Sequence, residues 1–256
     1  MQLEDVSHDD IERWLDHLTV STSAKITYLG HIRAFYRWAA TYEHLERDPA
    51  ARIVAPKLRP RQPRPVPAED FRLALRTARG DVYPMMLLSG YLGLRSGEIA
   101  AIRREEVIRD PAGAYLVVHG KGGRERTLPV PGALLAEVEP WLVGRGPMFL
   151  TPSGLPARSQ TVTDAVTGHF RTLGMPYVNH QLRHRAATRL LQLTRDLRLV
   201  QHFLGHANPG TTSGYTQVAD THAHGEVARL AAELDRDLGR SRESEPPPGP
   251  PPTAVA

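Results

Sequence analysis

A basic, proline-rich stretch near residue 60 limits what this chain can fold into. Five prolines fall within twelve residues: Pro56, Pro60, Pro63, Pro65 and Pro67. Proline fixes φ and lacks an amide hydrogen, so such a run excludes a helix or an inner strand and favours a stiff, extended linker. The sequence therefore predicts two folded units joined by a linker over residues 56–67.

The region around this linker carries positive charge and no negative charge. Between residues 49 and 68 there is no acidic residue, and there are five basic ones: Arg52, Lys57, Arg59, Arg61 and Arg64. Clustered arginine and lysine side chains are typical of a surface that binds a polyanion. We expect these five side chains to contact phosphates.

Composition excludes several classes of protein. The 256 residues include no cysteine, which rules out disulfides and thiolate metal sites. No run of 18 apolar residues is present, and the N-terminus is acidic where a signal peptide would be basic and then apolar. We therefore expect a cytoplasmic protein that contacts no membrane, with chemistry from oxygen and nitrogen groups and without metal or cofactor.

Residues 1–55 predict a small helical unit. Ser7 followed by acidic residues is a helix start signal, and apolar residues then recur at helical spacing to Leu18. A second helix is expected over about residues 23–41, with Phe35 and Tyr36 among its apolar face. Two helices are few for an independent unit, because domains below about 60 residues are only marginally stable.

Residues 68–239 predict a larger unit that is mainly α-helical with a small antiparallel β-hairpin. Helices are expected from Ala68, over residues 82–92, 97–104, 132–143, 161–173, 181–193, 197–204 and 225–238, with Ser96 capping the third of these. Alternating residues over 115–119 and 124–130 flank Lys121-Gly122-Gly123, which favours a hairpin. The proline-rich tail, residues 240–256, cannot form a packed element and is expected to be disordered.

Tyr215 is the residue whose surroundings most suggest chemistry. A phenol has a pKa of about 10, so a nucleophilic tyrosine needs groups that take its proton and hold a reacting anion. Histidine and arginine occur upstream in His180-Gln181-Leu182-Arg183-His184 and in Leu204-Gly205-His206. Tyrosine alone is weak evidence, since most such residues pack or face solvent.

Five motifs in order make the chain resemble the tyrosine recombinase family, also called phage-type integrases. They are Gly93-Leu94-Arg95-Ser96-Gly97-Glu98-Ile99, Gly120-Lys121-Gly122-Gly123-Arg124, the His180 to His184 run, Leu204-Gly205-His206, and Thr211-Thr212 with Tyr215. The resemblance covers about residues 64–236. It implies the catalytic-domain fold of that family, preceded by a truncated helical core-binding domain, and a site-specific recombinase, most plausibly a phage or mobile-element integrase.

The resemblance also implies a role for each matching residue. Tyr215 would attack a DNA phosphate and form a 3'-phosphotyrosyl link, while Arg95 and Arg183 would hold the non-bridging oxygens. Lys121 would protonate the departing 5'-oxygen, because lysine can release a proton and arginine cannot. We expect His180 to act as acid or base and His206 to support the phosphate, with Glu98 and His184 holding these groups in place.

Two departures from the family pattern stand out. Gln217 and Gln181 replace a histidine and an acidic residue that the family often has, and both positions are peripheral. The helical unit over residues 1–55 is shorter than a four-helix core-binding domain, so the N-terminus is either truncated or naturally minimal. A type IB topoisomerase-like enzyme and a non-catalytic DNA-binding regulator remain the alternatives.

Partners follow from the same resemblance. We expect double-stranded DNA attachment sites, a homo-tetramer on DNA in which the helix over residues 225–238 docks on a neighbour, and an accessory DNA-bending or directionality protein. The tail ends in Thr253-Ala254-Val255-Ala256, small residues that resemble bacterial degradation tags. A host protease that recognises this end is therefore a further candidate partner.

Overall fold

A computed structural model of the protein describes residues 3–42, 44–57, 64–110, 113–120, 123, 125–205 and 237. The chain divides into two units, Met1–Gln62 and Pro63–Ala256. No helix within these ranges is long and apolar enough to cross a membrane.

The N-terminal unit contains two helices, α1 (His8–His17) and α2 (Thr22–Thr41). Ser7 and Asp10 form a reciprocal capping box at the start of α1, as the start signal predicts. A small core combines side chains of both helices with residues that follow them: Ile11, Leu15, Leu29, Tyr36, Ala50 and Ile53. The prediction for Phe35 was wrong, because Tyr36 points inward and Phe35 is 43% exposed.

The C-terminal unit is built around a helix that is buried along almost its whole length. In chain order its elements begin with α3 (Ala68–Thr77), α4 (Val82–Leu92) and α5 (Ser96–Ala101), and ten of the eleven residues of α4 are buried. Three strands follow: β1 (Val107–Asp110), β2 (Gly113–His119) and β3 (Glu125–Val130). The remaining helices are α6 (Gly132–Val138), α7 (Ser159–Thr172), α8 (Asn179–Thr194) and α9 (Leu197–Phe203).

The three strands form one antiparallel sheet in the order β1-β2-β3. Leu116 of β2 lies opposite Leu128 of β3, and both are buried, so one face of the sheet contributes to the core. The predicted hairpin is present as β2 and β3, whereas β1 was not predicted. A mainly helical fold with a small antiparallel sheet is confirmed.

Several predicted bounds required correction. Helix α5 ends at Ala101, and Arg95 occupies the N-cap position that was assigned to Ser96. Helix α6 ends at Val138 because Pro140 follows and cannot continue a helix interior, so the chain continues as a short 3-10 turn, Glu139–Trp141. Of the helix expected over residues 225–238, only Asp237 lies within the described residues.

Candidate active site

Glu98 lies at the centre of a group of arginines at the start of α5. Its side chain is only 5% exposed, and it accepts hydrogen bonds from the backbone N and Nη1 of Arg95, both at 2.9 Å. Arg126 of β3 donates from Nη1 and Nη2 to the two carboxylate oxygens, at 2.9 and 3.0 Å. The guanidinium of Arg183 lies 3.7 Å away. We call Glu98 and these three arginines the Glu98 cluster.

Arg183 is the most buried member of this cluster. Its Nη1 donates to the carbonyl of Gly93 at 2.5 Å, and its Nη2 donates to the carbonyl of Leu204 at 2.7 Å. Gly93 ends α4 with φ of +62°, and an added Cβ would lie 2.8 Å from Cδ2 of Leu204. The close approach of these two segments therefore depends on glycine at this position.

The charges of the cluster do not balance. Three guanidiniums surround one carboxylate, which leaves an excess of two positive charges. Burial, together with Arg95 and Arg126, lowers the pKa of Arg183 to about 10, so it remains charged at neutral pH. Burial raises the pKa of Glu98, but the hydrogen bonds from Arg126 and Arg95 outweigh this effect and keep the pKa below its ordinary value. The Arg95 side chain is 45% exposed, so an anion can reach the cluster from solvent.

His180 and His184 lie beside the cluster on one face of α8. Their rings are 4.4 Å apart, centroid to centroid, in an edge-to-face arrangement. Burial lowers the pKa of His180, and His184, Arg183 and Arg95 lower it further. Burial and Arg183 also lower the pKa of His184. Both rings are thus biased toward the neutral form, in which an imidazole nitrogen can accept a proton.

Hydrogen bonds join the start of α8 to the start of α5. The hydroxyl of Ser96 accepts from Nδ2 of Asn179 at 3.0 Å and from Oγ1 of Thr163 at 2.9 Å. Asn179 precedes His180, and Ser96 follows Arg95. These contacts explain how residues far apart in sequence come to lie in one site.

Three of the predicted site residues, Lys121, His206 and Tyr215, lie outside the described residues. The chain on either side of Lys121 is held where the hairpin closes, because His119 is 3.0 Å from Glu125 and 2.7 Å from Glu106. The carbonyl of Leu204, two residues before His206, accepts hydrogen bonds from both Arg95 and Arg183. Segments that lead to two of these residues are therefore attached to the rest of the unit.

Three of the five predicted DNA-contacting residues lie within the described part of the chain. Arg52, Lys57 and Arg64 are exposed, and Arg59 and Arg61 lie outside the described residues. Gln181 Nε2 donates to the carbonyl of Arg64 at 3.1 Å, which attaches the end of the linker to α8. Arg64 thus belongs to the same unit as the Glu98 cluster.

Sequence reasoning missed Arg126. Its position on β3 has the same parity as the buried residues Leu128 and Val130, and its side chain is only 11% exposed. A charged residue at an inward position of a strand needs a buried partner. That parity could have marked Arg126 before its partner Glu98 was known.

A second buried carboxylate, Asp237, lies among other side chains of the C-terminal unit. It accepts hydrogen bonds from Arg72 Nε at 2.9 Å, Tyr91 OH at 2.6 Å and Arg185 Nη2 at 2.8 Å. The Arg185 guanidinium also stacks on Phe71, 4.1 Å from the ring centroid. We call Asp237, Arg72, Tyr91 and Arg185 the Asp237 cluster.

Comparison with known proteins decides the family. Residues 74–222 match the model of the phage integrase family. The chain belongs to this family. The tyrosine recombinase XerD of Caulobacter vibrioides is 33% identical, and the match covers 93% of this chain and 85% of XerD. The tyrosine recombinase XerC of Pelobacter propionicus is 29% identical, and the match covers 95% of this chain and 83% of XerC. As a member of the phage integrase family, the protein is a site-specific recombinase that cleaves and rejoins DNA strands.

Solved structures agree with the tyrosine recombinase fold. The integrase from mycobacterium phage Brujita is 29% identical in sequence, with a TM-score of 0.59. The match covers 94% of this chain and 82% of the phage integrase chain. A lambda integrase dimer bound to a COC' core site is 18% identical, with a TM-score of 0.67 and coverage of 84% of each chain. The second likeness concerns the fold alone.

Proposed function

We propose that Tyr215 is the nucleophile of this recombinase. Its phenolic oxygen forms a bond to the phosphorus of a DNA backbone phosphate while the bond from phosphorus to the 5'-oxygen breaks, which leaves a 3'-phosphotyrosyl link. The 5'-hydroxyl of a partner strand then reverses the step and releases Tyr215. Two balanced displacements conserve the energy of the phosphodiester, so no cofactor is needed.

Arg95 and Arg183 hold the non-bridging oxygens of the reacting phosphate. The observation that carries this assignment is the excess positive charge of the Glu98 cluster beside a partly exposed Arg95. Guanidinium groups fixed in advance by Glu98 and by backbone carbonyls need little reorganisation when charge builds on the phosphate. Glu98 thus keeps the arginines in place and does not itself react.

His180 takes the proton of Tyr215, Lys121 gives a proton to the departing 5'-oxygen, and His206 supports the charge on a phosphate oxygen. The lowered pKa of His180 suits a base, since the ring is neutral near pH 7. His184 lies against His180 and orients it. Each proton that leaves one group therefore has a group to receive it.

We further propose that the enzyme serves a phage or mobile element as its integrase. The similarity to a mycobacteriophage integrase over 94% of the chain supports this role. Residues 1–55 act as a partial core-binding domain, 56–67 as the linker, 68–239 as the catalytic domain and 240–256 as the tail. Arg52 and the linker residues Lys57, Arg59, Arg61 and Arg64 contact phosphates of double-stranded attachment sites, which gives affinity with little sequence preference.

On DNA the protein forms a homo-tetramer through its C-terminal helix. A lambda integrase tetramer has been solved on a Holliday junction. In the present protein, Asp237 binds to a receptor site that is formed by Arg72, Tyr91 and Arg185 of the same chain. In the tetramer the same receptor accepts Asp237 of a neighbouring protomer.

We also propose where the enzyme works and which other proteins act with it. The enzyme works in the cytoplasm of a bacterial or phage-infected cell, with an accessory DNA-bending or directionality protein at the attachment site. A host protease recognises the C-terminal tail. Replacing Val255 and Ala256 with aspartate should then lengthen the lifetime of the protein, and an unchanged lifetime would refute the tail signal.

A nicked suicide duplex that contains the attachment site tests the nucleophile directly. The nick lies shortly to the 3' side of the scissile phosphate, so cleavage releases a short fragment that carries the free 5'-hydroxyl. The covalent protein–DNA adduct therefore accumulates and is seen on a denaturing gel. Wild type should form the adduct, and Tyr215→Phe should form none. Tyr177→Phe is the matched control, because Tyr177 donates to Asp70 at 2.6 Å and has no part in the proposed chemistry.

Equal adduct from wild type and Tyr215→Phe would exclude Tyr215 as the nucleophile. Relaxation of supercoiled DNA without strand exchange would favour the topoisomerase-like alternative. DNA binding without any adduct would favour the non-catalytic regulator.

A further inference from the structure

Arg126 joins three segments that contribute to the proposed active site. It lies on β3, five residues after Lys121, and forms two parallel hydrogen bonds with Glu98 at the start of α5. Its Nε donates to the carbonyl of Phe203 at the end of α9, at 3.2 Å. Phe203 precedes His206 by three residues. One guanidinium thus links the hairpin, the arginine pair and the chain that leads to His206.

The packing around Arg126 leaves it little room to move. Gly205 has φ of +64°, and an added Cβ there would lie 2.8 Å from Nη1 of Arg126 and 3.1 Å from Cζ. The side chain is 11% exposed, and three of its nitrogen atoms already donate to protein oxygens. Arg126 is therefore placed to hold Glu98 and the end of α9 in position.

Lysine could not replace this contact. A guanidinium presents parallel donors that match both carboxylate oxygens, whereas an ammonium is a single point charge. Glu98 also accepts from Arg95, so any rotation of the carboxylate would change the position of Arg95. The orientation of Glu98 therefore depends on the two-point contact from Arg126.

We infer that Arg126 is a positioning residue for DNA cleavage, which acts through Glu98 on Arg95 and Arg183 and fixes strand β3 against them. The inference rests on the proposed function, because it requires that these groups act on the scissile phosphate. Its effect is on the rate of the chemical step, since the DNA surface of the linker residues is untouched.

The test measures the single-turnover rate of adduct formation on the nicked suicide duplex, together with DNA affinity and melting temperature. Arg126→Gln should slow cleavage at saturating DNA about 100-fold, the scale expected when a reacting group is misplaced by about 1 Å. Affinity for the duplex should change less than about threefold, because the linker contacts remain. Wild-type cleavage in the same assay verifies the proposed function independently.

Arg109→Gln is the matched control. Arg109 lies on the neighbouring strand β1 and donates to both oxygens of Glu139 at 2.8 Å, but this pair is exposed. Exposed pairs contribute little, so its cleavage rate should stay within about threefold of wild type. If Arg126→Gln does not fold, Arg126→Lys keeps the buried charge, loses the two-point contact and should show the same loss of rate.

A double variant separates positioning from general destabilisation. If Arg126 acts through Glu98, then Glu98→Gln combined with Arg126→Gln should cleave no more slowly than the slower single variant. The inference would be overturned if the double variant showed the product of the two single defects in cleavage rate. It would also be overturned if a folded Arg126 variant cleaved within threefold of wild type, or if saturating DNA removed its defect.

Discussion

Glu98 and Asp237 are both buried carboxylates held by arginines in the same unit, yet their clusters differ in net charge and in the groups that complete them. Glu98 faces three guanidiniums, one of which is 45% exposed, and the excess of two positive charges is open to an anion. Asp237 faces two guanidiniums, of which that of Arg72 is 40% exposed, and a tyrosine hydroxyl, so its excess is one positive charge. Among the described residues, the donors to Asp237 are Arg72 of α3, Tyr91 of α4 and Arg185 of α8.

The difference separates a site for chemistry from a site for docking. The larger positive excess of the Glu98 cluster favours the binding of a further anion, such as a phosphate. A carboxylate that arrives from a distant segment and closes its receptor completes an interaction within the fold. We therefore assign catalysis to the Glu98 cluster and attachment of the C-terminal segment to the Asp237 cluster.

Asp237→Asn should affect stability and assembly more than chemistry. The amide keeps the shape but removes the charge that offsets Arg185, so the free energy of unfolding should fall by about 2 kcal/mol. Complexes that contain two DNA sites should weaken in native gels, while adduct formation at saturating DNA persists. Thermal unfolding and the suicide duplex measure the two effects separately, and a variant as stable as wild type would contradict the docking role.

The positive excess of the Glu98 cluster should also be visible in the pH dependence of cleavage. Burial and the neighbouring cations lower the pKa of His180 below its ordinary value of 6.5, so cleavage should rise with pH as the ring loses its proton and level off above that midpoint. His184→Gln removes one of these neighbours and should move the midpoint upward. Asp237→Asn should leave the midpoint unchanged.

Single-turnover rates measured across the acidic range supply this comparison. A midpoint above the ordinary histidine value, or one that moves equally in the His184 and Asp237 variants, would argue against His180 as the base beside the Glu98 cluster.

The sequence predicted local structure well where the signal was local. Helix α4 has the predicted bounds, Val82–Leu92, because a run of apolar residues ends at a glycine that adopts a left-handed conformation. Strand β1 was missed because its four residues include Arg109 and Asp110, and its pairing with β2 is what makes it a strand. The resemblance, rather than periodicity, selected Arg95, Glu98, His180 and Arg183 as site residues.

Partners that are distant in sequence could not be predicted. The contact between Arg126 and Glu98 spans 28 residues, and the one between Arg72 and Asp237 spans 165. A single sequence indicates that a buried charge needs a partner but does not identify which one. Only the fold shows that two arginines on α8, Arg183 and Arg185, serve two different carboxylates.

These two arginines provide the most direct test of the account. Both are buried on the same helix, two positions apart, and each lies beside a carboxylate. The measurement is the single-turnover rate of covalent adduct formation on the suicide duplex, at saturating DNA and below the melting temperature of each variant. Arg183→Gln should slow it at least ~100-fold, the scale of one lost electrostatic stabiliser. Arg185→Gln should stay within about tenfold of wild type, because the hydrogen bonds of Arg185 go to Asp237 and to the carbonyl of Gly90, outside the Glu98 cluster. Equal losses in both variants, or a wild-type rate for Arg183→Gln, would contradict the assignment of catalysis to the Glu98 cluster.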